Sequence, residues 1–304
     1  MDTPHAGGPA ADTTIWSPPL PAAPGFAHTI VETPGLRTHV ATVGEGPPVL
    51  LLHGFPEHWW QWRDIAPAIA AQGYRVICPD LRGAGWTEAD DPRIGHETRM
   101  HDLIALMEVL GIDRAHVITH DLGAVTGMHL AYAHPARVRT LVQMSVPPGF
   151  MRFTPRMLPA FRVYPRMLWG GHRQSLRWTL GPPWAVHPMS EATLDSYLRV
   201  EQRPEVARAT RKVVLGMIGP ELPRLMGTHY KRMRLQPPTL LAFGQEDRPF
   251  TEPVVRGMCR DHDRYAERFE LAFIPDAAHF VTDDAPDAVA ALAVDWLRRA
   301  GGAD

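Results

Sequence analysis

The stretch Ala115-His116-Val117-Ile118-Thr119-His120-Asp121-Leu122-Gly123 carries the clearest chemical signal in the chain. An apolar run ends abruptly in small, polar and glycine residues, and a helical pattern starts near Ala124, so Asp121 stands at the apex of a strand–turn–helix. Thr119 and Gly123, two before and two after the apex, are small enough to let strand and helix meet in a strained turn that exposes the apex side chain. Close to a helix N-terminus, the dipole and free N–H groups keep Asp121 ionised and stabilise an oxyanion formed from it. The same aspartate would also serve as an ordinary helix N-cap.

Two further segments favour the nucleophile. His53-Gly54-Phe55-Pro56-Glu57 directly follows the apolar run Val49-Leu50-Leu51-Leu52. Gly54 can turn sharply there and aim the Phe55 N–H at the site, which with the Leu122 amide makes an oxyanion hole. Asp247, in Phe243-Gly244-Gln245-Glu246-Asp247, follows the run Thr239 to Phe243, and His279, in Ala277-Ala278-His279-Phe280, follows Phe269 to Phe273. Both lie at strand C-termini, where open α/β sheets bind ligands. The order Asp121, Asp247, His279 is the chain order nucleophile, acid, histidine. A carboxylate can displace at an sp³ carbon to give an alkyl ester, which water activated by a neutral histidine then hydrolyses. Epoxides and alkyl halides suit that chemistry; with no G-x-S-x-G in the chain, ordinary ester hydrolysis does not.

The elements that must position these residues are legible as well. His28 to Glu32 and Leu36 to Val43, separated by Pro34-Gly35, form an antiparallel hairpin. The runs at 49–52, 75–78, 115–118, 138–142 and 239–243 suit parallel strands buried on both faces. Helical spacing recurs over Trp62 to Gln72, Thr98 to Gly111, Leu122 to His134 and Asp284 to Arg299. The alternation predicts an α/β fold with a doubly wound, mostly parallel sheet. It breaks between Val142 and Thr239, so 28–146 and 237–304 are assigned to the core and 147–236 to an inserted helical cap. Residues 1–27, rich in proline, are assigned to a flexible arm.

Composition narrows the class. The chain has 304 residues, a net charge of −2 and 45% hydrophobic residues, which suits a soluble globular protein and excludes nucleic-acid binding by bulk charge. Segment 148–236 holds 13 Arg and 2 Lys against 5 acidic residues, leaving +10 there and −12 elsewhere; ion pairs between cap and core are expected to absorb much of it. Two cysteines, Cys78 and Cys259, without metal-ligand spacing, suit a reducing compartment. With no leader pattern and no long apolar stretch, the expectation is a cytoplasmic protein without a membrane span. No cofactor or metal is expected, and a homodimer is left open. His116 and His120 flank a strand end rather than share a helix face, so they do not read as a zinc pair. His129 and His134 read as helix-surface residues, and Trp59, Trp60 and Trp62 either line a pocket or pack.

From about Pro24 to Arg299 the chain resembles the epoxide-hydrolase branch of the α/β-hydrolases. The resemblance rests on His53-Gly54-Phe55-Pro56-Glu57 with Trp60 and Trp62-Arg63, on Pro79-Asp80-Leu81-Arg82-Gly83-Ala84-Gly85, on His120-Asp121, and on Ala278-His279-Phe280. It implies an α/β-hydrolase fold in which Asp121 opens an epoxide, His279 oriented by Asp247 activates water, and the Phe55 and Leu122 amides stabilise the oxyanion. It implies a small apolar or amphipathic substrate. Related dehalogenases place tryptophan or arginine after the nucleophile, where this chain has Leu122, and many have asparagine where it has Phe55. The family's two cap tyrosines protonate the epoxide oxygen; Tyr164 falls where the first is expected. For the second, Tyr230-Lys231 matches the family's Tyr-Arg pair in one register, while another puts Thr210-Arg211 there. The alternatives are a haloalkane dehalogenase or other aspartate-nucleophile hydrolase, and a catalytically silent small-molecule-binding member of the fold.

Overall fold

The computed structural model describes residues 16–91, 93–170 and 175–302. The chain opens on the hairpin of β1 (Ala27–Thr33) and β2 (Leu36–Val43), in register from Thr33 opposite Leu36 to Ala27 opposite Thr42. Gly35 takes the left-handed backbone that its turn requires. The short apolar runs become β3 (Pro48–Leu52), β4 (Arg75–Pro79), β6 (Ala115–His120), β7 (Val138–Met144), β8 (Thr239–Gly244) and β9 (Phe269–Ile274), with β5 (Glu88–Ala89) a short strand beside β2. The sheet order is β1-β2-β4-β3-β6-β7-β8-β9. From β4 to β9 every pairing is parallel, and β2 joins β4 antiparallel.

Alternate residues of the parallel strands feed two cores. Leu50, Leu52 and Val117 pack with α2 (His96–Val109) and α3 (Asp121–Ala133) on one face. Val49, Leu51 and Ile118 pack with α1 (Ile65–Ala70) and α11 (Pro286–Ala300) on the other. Covering both faces is what allows the strands to be apolar throughout; every residue of β6 and β8 is buried.

Two helices differ from the sequence expectation. The stretch from Trp62 to Gln72 is a 3₁₀ turn over Trp59–Trp62 followed by the shorter α1. After the short helices α8 (Glu252–Met258) and α9 (His262–Tyr265), the C-terminal stretch divides into α10 (Val281–Asp284) and α11, because the residue before Pro286 is pushed out of helical backbone, Ala285 taking φ −143°. Trp59 and Trp62 are wholly buried packing residues and do not line the cavity described below.

Between β7 and β8 the described residues contribute helices and no strand. They are α4 (Val163–Gly170), α5 (Glu191–Leu198), α6 (Pro204–Gly216) and α7 (Leu222–Met226), joined by 3₁₀ turns at Pro155–Arg162, Leu176–Thr179, Arg199–Gln202 and Tyr230–Arg232. Proline at 159, 220 and 223 keeps these pieces short. Arg203 to Glu88 at 3.0 Å and Arg224 to Glu97 at 3.5 Å carry charge from this insertion to the core. The described part of the N-terminal arm is tied down: the Trp86 indole donates to the Pro18 carbonyl and that of Trp60 to the Ala22 carbonyl. The rest of the expected arm, residues 1–15, lies outside the described residues. Both cysteines are free and buried. Among the described residues no helix is long and apolar enough to cross a membrane.

Candidate active site

Asp121 begins α3 directly after β6, and its backbone is left-handed, at φ +47°. For a non-glycine residue that conformation costs roughly 1–3 kcal/mol, and here the packing around it holds it in place. Two glycines make the turn. A Cβ on Gly123 would lie 2.4 Å from the carbonyl oxygens of Leu52 and His53, and one on Gly54 would lie 2.9 Å from Asp121 Cβ. Helix and loop thus approach the turn at Asp121 more closely than a side chain at either glycine would allow.

Both expected amides reach the carboxylate. Phe55 N donates to Asp121 Oδ1 at 2.9 Å, and the Leu122 amide donates to the same carboxylate. The other oxygen, Oδ2, lies 3.2 Å from His279 Nε2. Burial alone would raise the Asp121 pKa; the hydrogen bond and charge of His279, then His120 and the Leu122 amide, bring it down to about 2. Burial would likewise lower His279, but its contacts with Asp121 and Asp247 hold it up at about 10. The resting site is therefore a carboxylate–imidazolium pair.

Asp247, which follows β8, is brought behind the imidazole, its Oδ2 3.6 Å from His279 Nδ1. That is ion-pair range and too long for a hydrogen bond. Neither Asp247 oxygen nor His279 Nδ1 has a hydrogen-bond partner among the described residues. Such contacts are often long in a ligand-free site and tighten when charge develops.

Above Asp121 and His279 opens a cavity with about 1030 Å³ of empty space, its mouth included. Its walls are mainly apolar, with Phe55, Met151, Met157, Phe161, Met167 and Trp184 prominent. Tyr164, from α4, is in that wall. Burial, and after it the Asp121 charge, raise its phenol well above the ordinary range, so it is a protonated donor facing the carboxylate's cavity.

Tyr230 is not there, which corrects the expectation of a second proton donor at this position. Its hydroxyl donates to Glu221 Oε1 at 2.7 Å and lies 3.0 Å from His129 Nε2, and the ring is buried against Tyr132. The hydroxyl is consumed in a closed network away from the cavity. His129, expected on a helix surface, is buried in that network, 2.7 Å from Glu221 Oε2. Thr210, the alternative, falls within α6, but its side chain lies outside the described residues.

Sequence reasoning passed over the groups behind the pair. His120 Nε2 donates to the His279 carbonyl at 2.8 Å, so in the neutral ring Nδ1 must accept, and its partner is Glu57 Oε2 at 3.1 Å. That requires Glu57 to be a carboxylic acid. Burial, then the charges of Asp283 and Asp121, push Glu57 well up, while burial, then His279, keep His120 down at about 4. Ser145 adds a second hydrogen bond to the His279 carbonyl, at 2.7 Å. The glutamate was visible as the last residue of the 53–57 motif; nothing in the sequence marks Ser145.

Comparison with known proteins bears on the family and the fold. The α/β hydrolase fold family matches residues 47–286. Epoxide hydrolase 2 of Siraitia grosvenorii is 44% identical over 141 residues, covering 45% of this chain and 44% of that protein. The matched stretch thus spans less than half the length of this curated relative. The AB hydrolase superfamily protein YfhM of Bacillus subtilis is 27% identical over 293 residues, covering 90% of this chain and 99% of that protein. A solved structure of a putative epoxide hydrolase from Pseudomonas aeruginosa superposes with a TM-score of 0.71 at 27% identity, covering 91% of this chain and 97% of that one. By its sequence match and its fold, the chain belongs to the α/β hydrolase fold family.

Proposed function

We propose that the protein is an epoxide hydrolase working through an ester on Asp121. The observation that carries this reading is an ionised aspartate at the apex of the elbow, between two amide donors and an imidazole, in an apolar cavity that also holds a protonated tyrosine. The resemblance to proteins named epoxide hydrolases supports it.

The helices between β7 and β8 act as the cap that closes over a small apolar or amphipathic substrate. With Oδ1 held by the Phe55 amide, Oδ2, which faces His279, is the oxygen that attacks a ring carbon of the epoxide. The C–O bond of the ring breaks as the ester C–O bond forms, and the Tyr164 hydroxyl protonates the departing oxygen. Esterification removes the Asp121 charge that chiefly supports the His279 proton. The imidazole pKa then falls, its proton passes by way of water in the cavity to the Tyr164 phenolate, and a neutral base is left at the step that needs one. His279 takes a proton from water, the hydroxide oxygen adds to the Asp121 carboxyl carbon, and the oxyanion at Oδ1 is met by the Phe55 and Leu122 amides. Collapse breaks the bond from the carboxyl carbon to Oδ2, the hydroxyl brought by water gives its proton to the departing oxygen, and the diol leaves with what was Oδ2 while Asp121 and His279 return to the ion pair.

A single turnover in ¹⁸O-labelled water tests the scheme. With enzyme in excess over styrene oxide, the label is expected in the Asp121 carboxylate and not in the diol. Label appearing directly in the diol would mean that water attacks the epoxide and that no ester forms.

A further inference from the structure

The contact between His279 Nδ1 and Asp247, at 3.6 Å, is too long to orient the imidazole by itself. The ring must therefore take its position largely from the backbone on which it sits, and that backbone is fastened to the cap from both directions. The Trp184 carbonyl accepts from His279 N at 2.9 Å and from Phe280 N at 3.1 Å. In return the Asp284 carboxylate accepts from Val186 N at 3.0 Å and His187 N at 2.9 Å. Its Oδ2 also accepts from Ala278 N at 2.9 Å, immediately before the histidine. The Trp184 indole lines the cavity and stands edge-on to the His279 ring, centroids 5.9 Å apart.

Asp284 touches neither the cavity nor Asp121, yet it holds three backbone amides, two in the cap and one beside His279. We propose that Asp284 is a positioning residue: it joins the 184–187 segment and the His279 loop into one unit, so that Nε2 is aligned with Asp121 only while this part of the cap is seated. The proposal rests on the reading of His279 as the base that hydrolyses the ester. A carboxylate can accept from all three amides at once, whereas an asparagine turns an NH₂ group towards at least one of them. Because a displacement of about 1 Å can cost on the order of 10²-fold in rate, the loss falls on the step that uses His279.

The test is single-turnover kinetics on Asp284→Asn with styrene oxide, following the covalent ester by intact mass. Ester formation is expected within about threefold of wild type and ester hydrolysis about 10- to 100-fold slower, so that the ester accumulates. Amides of 184–187 and 278–280 are expected to exchange hydrogen faster while those of α3 do not change. Asp284→Glu, which keeps the charge, is expected to recover part of the hydrolysis rate, and it gives the same readout should the asparagine variant not fold. Wild-type hydrolysis in Asp284→Asn, or equal losses in both steps, overturns the positioning role. His279→Gln run alongside separates the two claims: if it forms no ester with the same epoxide, the ester mechanism itself fails, whatever Asp284 does.

Discussion

Two histidines set against carboxylates meet opposite parts of α3, one half-buried and one buried. At its N-terminus His279 faces Asp121 and backs onto Asp247; two turns further along, His129 meets Glu221 and Tyr230. In the second group the contacts run from 2.7 to 3.0 Å, and no member lines the cavity. In the first Asp121 is backbone-strained and open to the cavity, and the Nδ1 edge of the imidazole and both Asp247 oxygens lack hydrogen bonds among the described residues. A polar cluster whose members satisfy one another fastens the segment between β7 and β8 to α3. One left unsatisfied beside an apolar cavity holds capacity for a reacting molecule.

Breaking the first cluster should cost catalysis, and breaking the second should cost stability. The largest effect is expected from Asp121→Asn, with diol formation falling on the order of 10⁴-fold or more in a folded protein, as for other members of a catalytic triad; chromatographic measurement of diol checks it. Tyr164→Phe comes next, lowering kcat by about 10²- to 10⁴-fold for loss of a general acid, measured on the same epoxide. Tyr230→Phe is expected to leave kcat within about threefold and instead to destabilise the fold by about 1–3 kcal/mol, since Glu221 Oε1 loses its buried donor; urea unfolding of the two tyrosine variants side by side sharpens the contrast. A reversed ranking in kcat would mean that Tyr230 swings into the cavity in the working enzyme.

The smallest effect concerns pH. His279 is held at about 10 against an ordinary 6.5, so its pairing stabilises the fold fully below pH 6.5 and loses that contribution as pH rises through about 10. Asp121, at about 2 against 3.8, contributes above pH 3.8 and loses its contribution as pH falls through about 2. The Tm advantage of wild type over His279→Gln is therefore expected to shrink steadily between pH 6.5 and 10. An advantage that stays flat over that range would contradict the ion pair.

How far the sequence could be read follows from the range of the forces involved. The sheet was legible because strands buried on both faces must be apolar, and the elbow because the small residues Thr119 and Gly123 flank Asp121 at fixed spacing, although the carbonyls that Gly123 approaches belong to Leu52 and His53, far away in the chain. Asp121, His279 and the Phe55 amide follow strand ends, so chain order was enough to expect them near one another, and the structure has both groups in contact with the Asp121 carboxylate. Tyr230 was misplaced because its environment is set by His129, 101 residues earlier in the chain, and by Glu221, and no local pattern encodes that meeting. Asp284 and Ser145 were missed for a related reason: both act through backbone groups, which any sequence can supply.

The central claim is that Asp121 carries the substrate covalently, and the intact mass of His279→Gln after incubation with a mixture of epoxides and haloalkanes tests it most directly. The account predicts a gain equal to a whole epoxide, mapping to the peptide that contains Asp121, because ring opening has no leaving group. A gain equal to a haloalkane less hydrogen halide would make the protein a dehalogenase on the same scaffold. No adduct on Asp121 from any member of the mixture would contradict the ester mechanism.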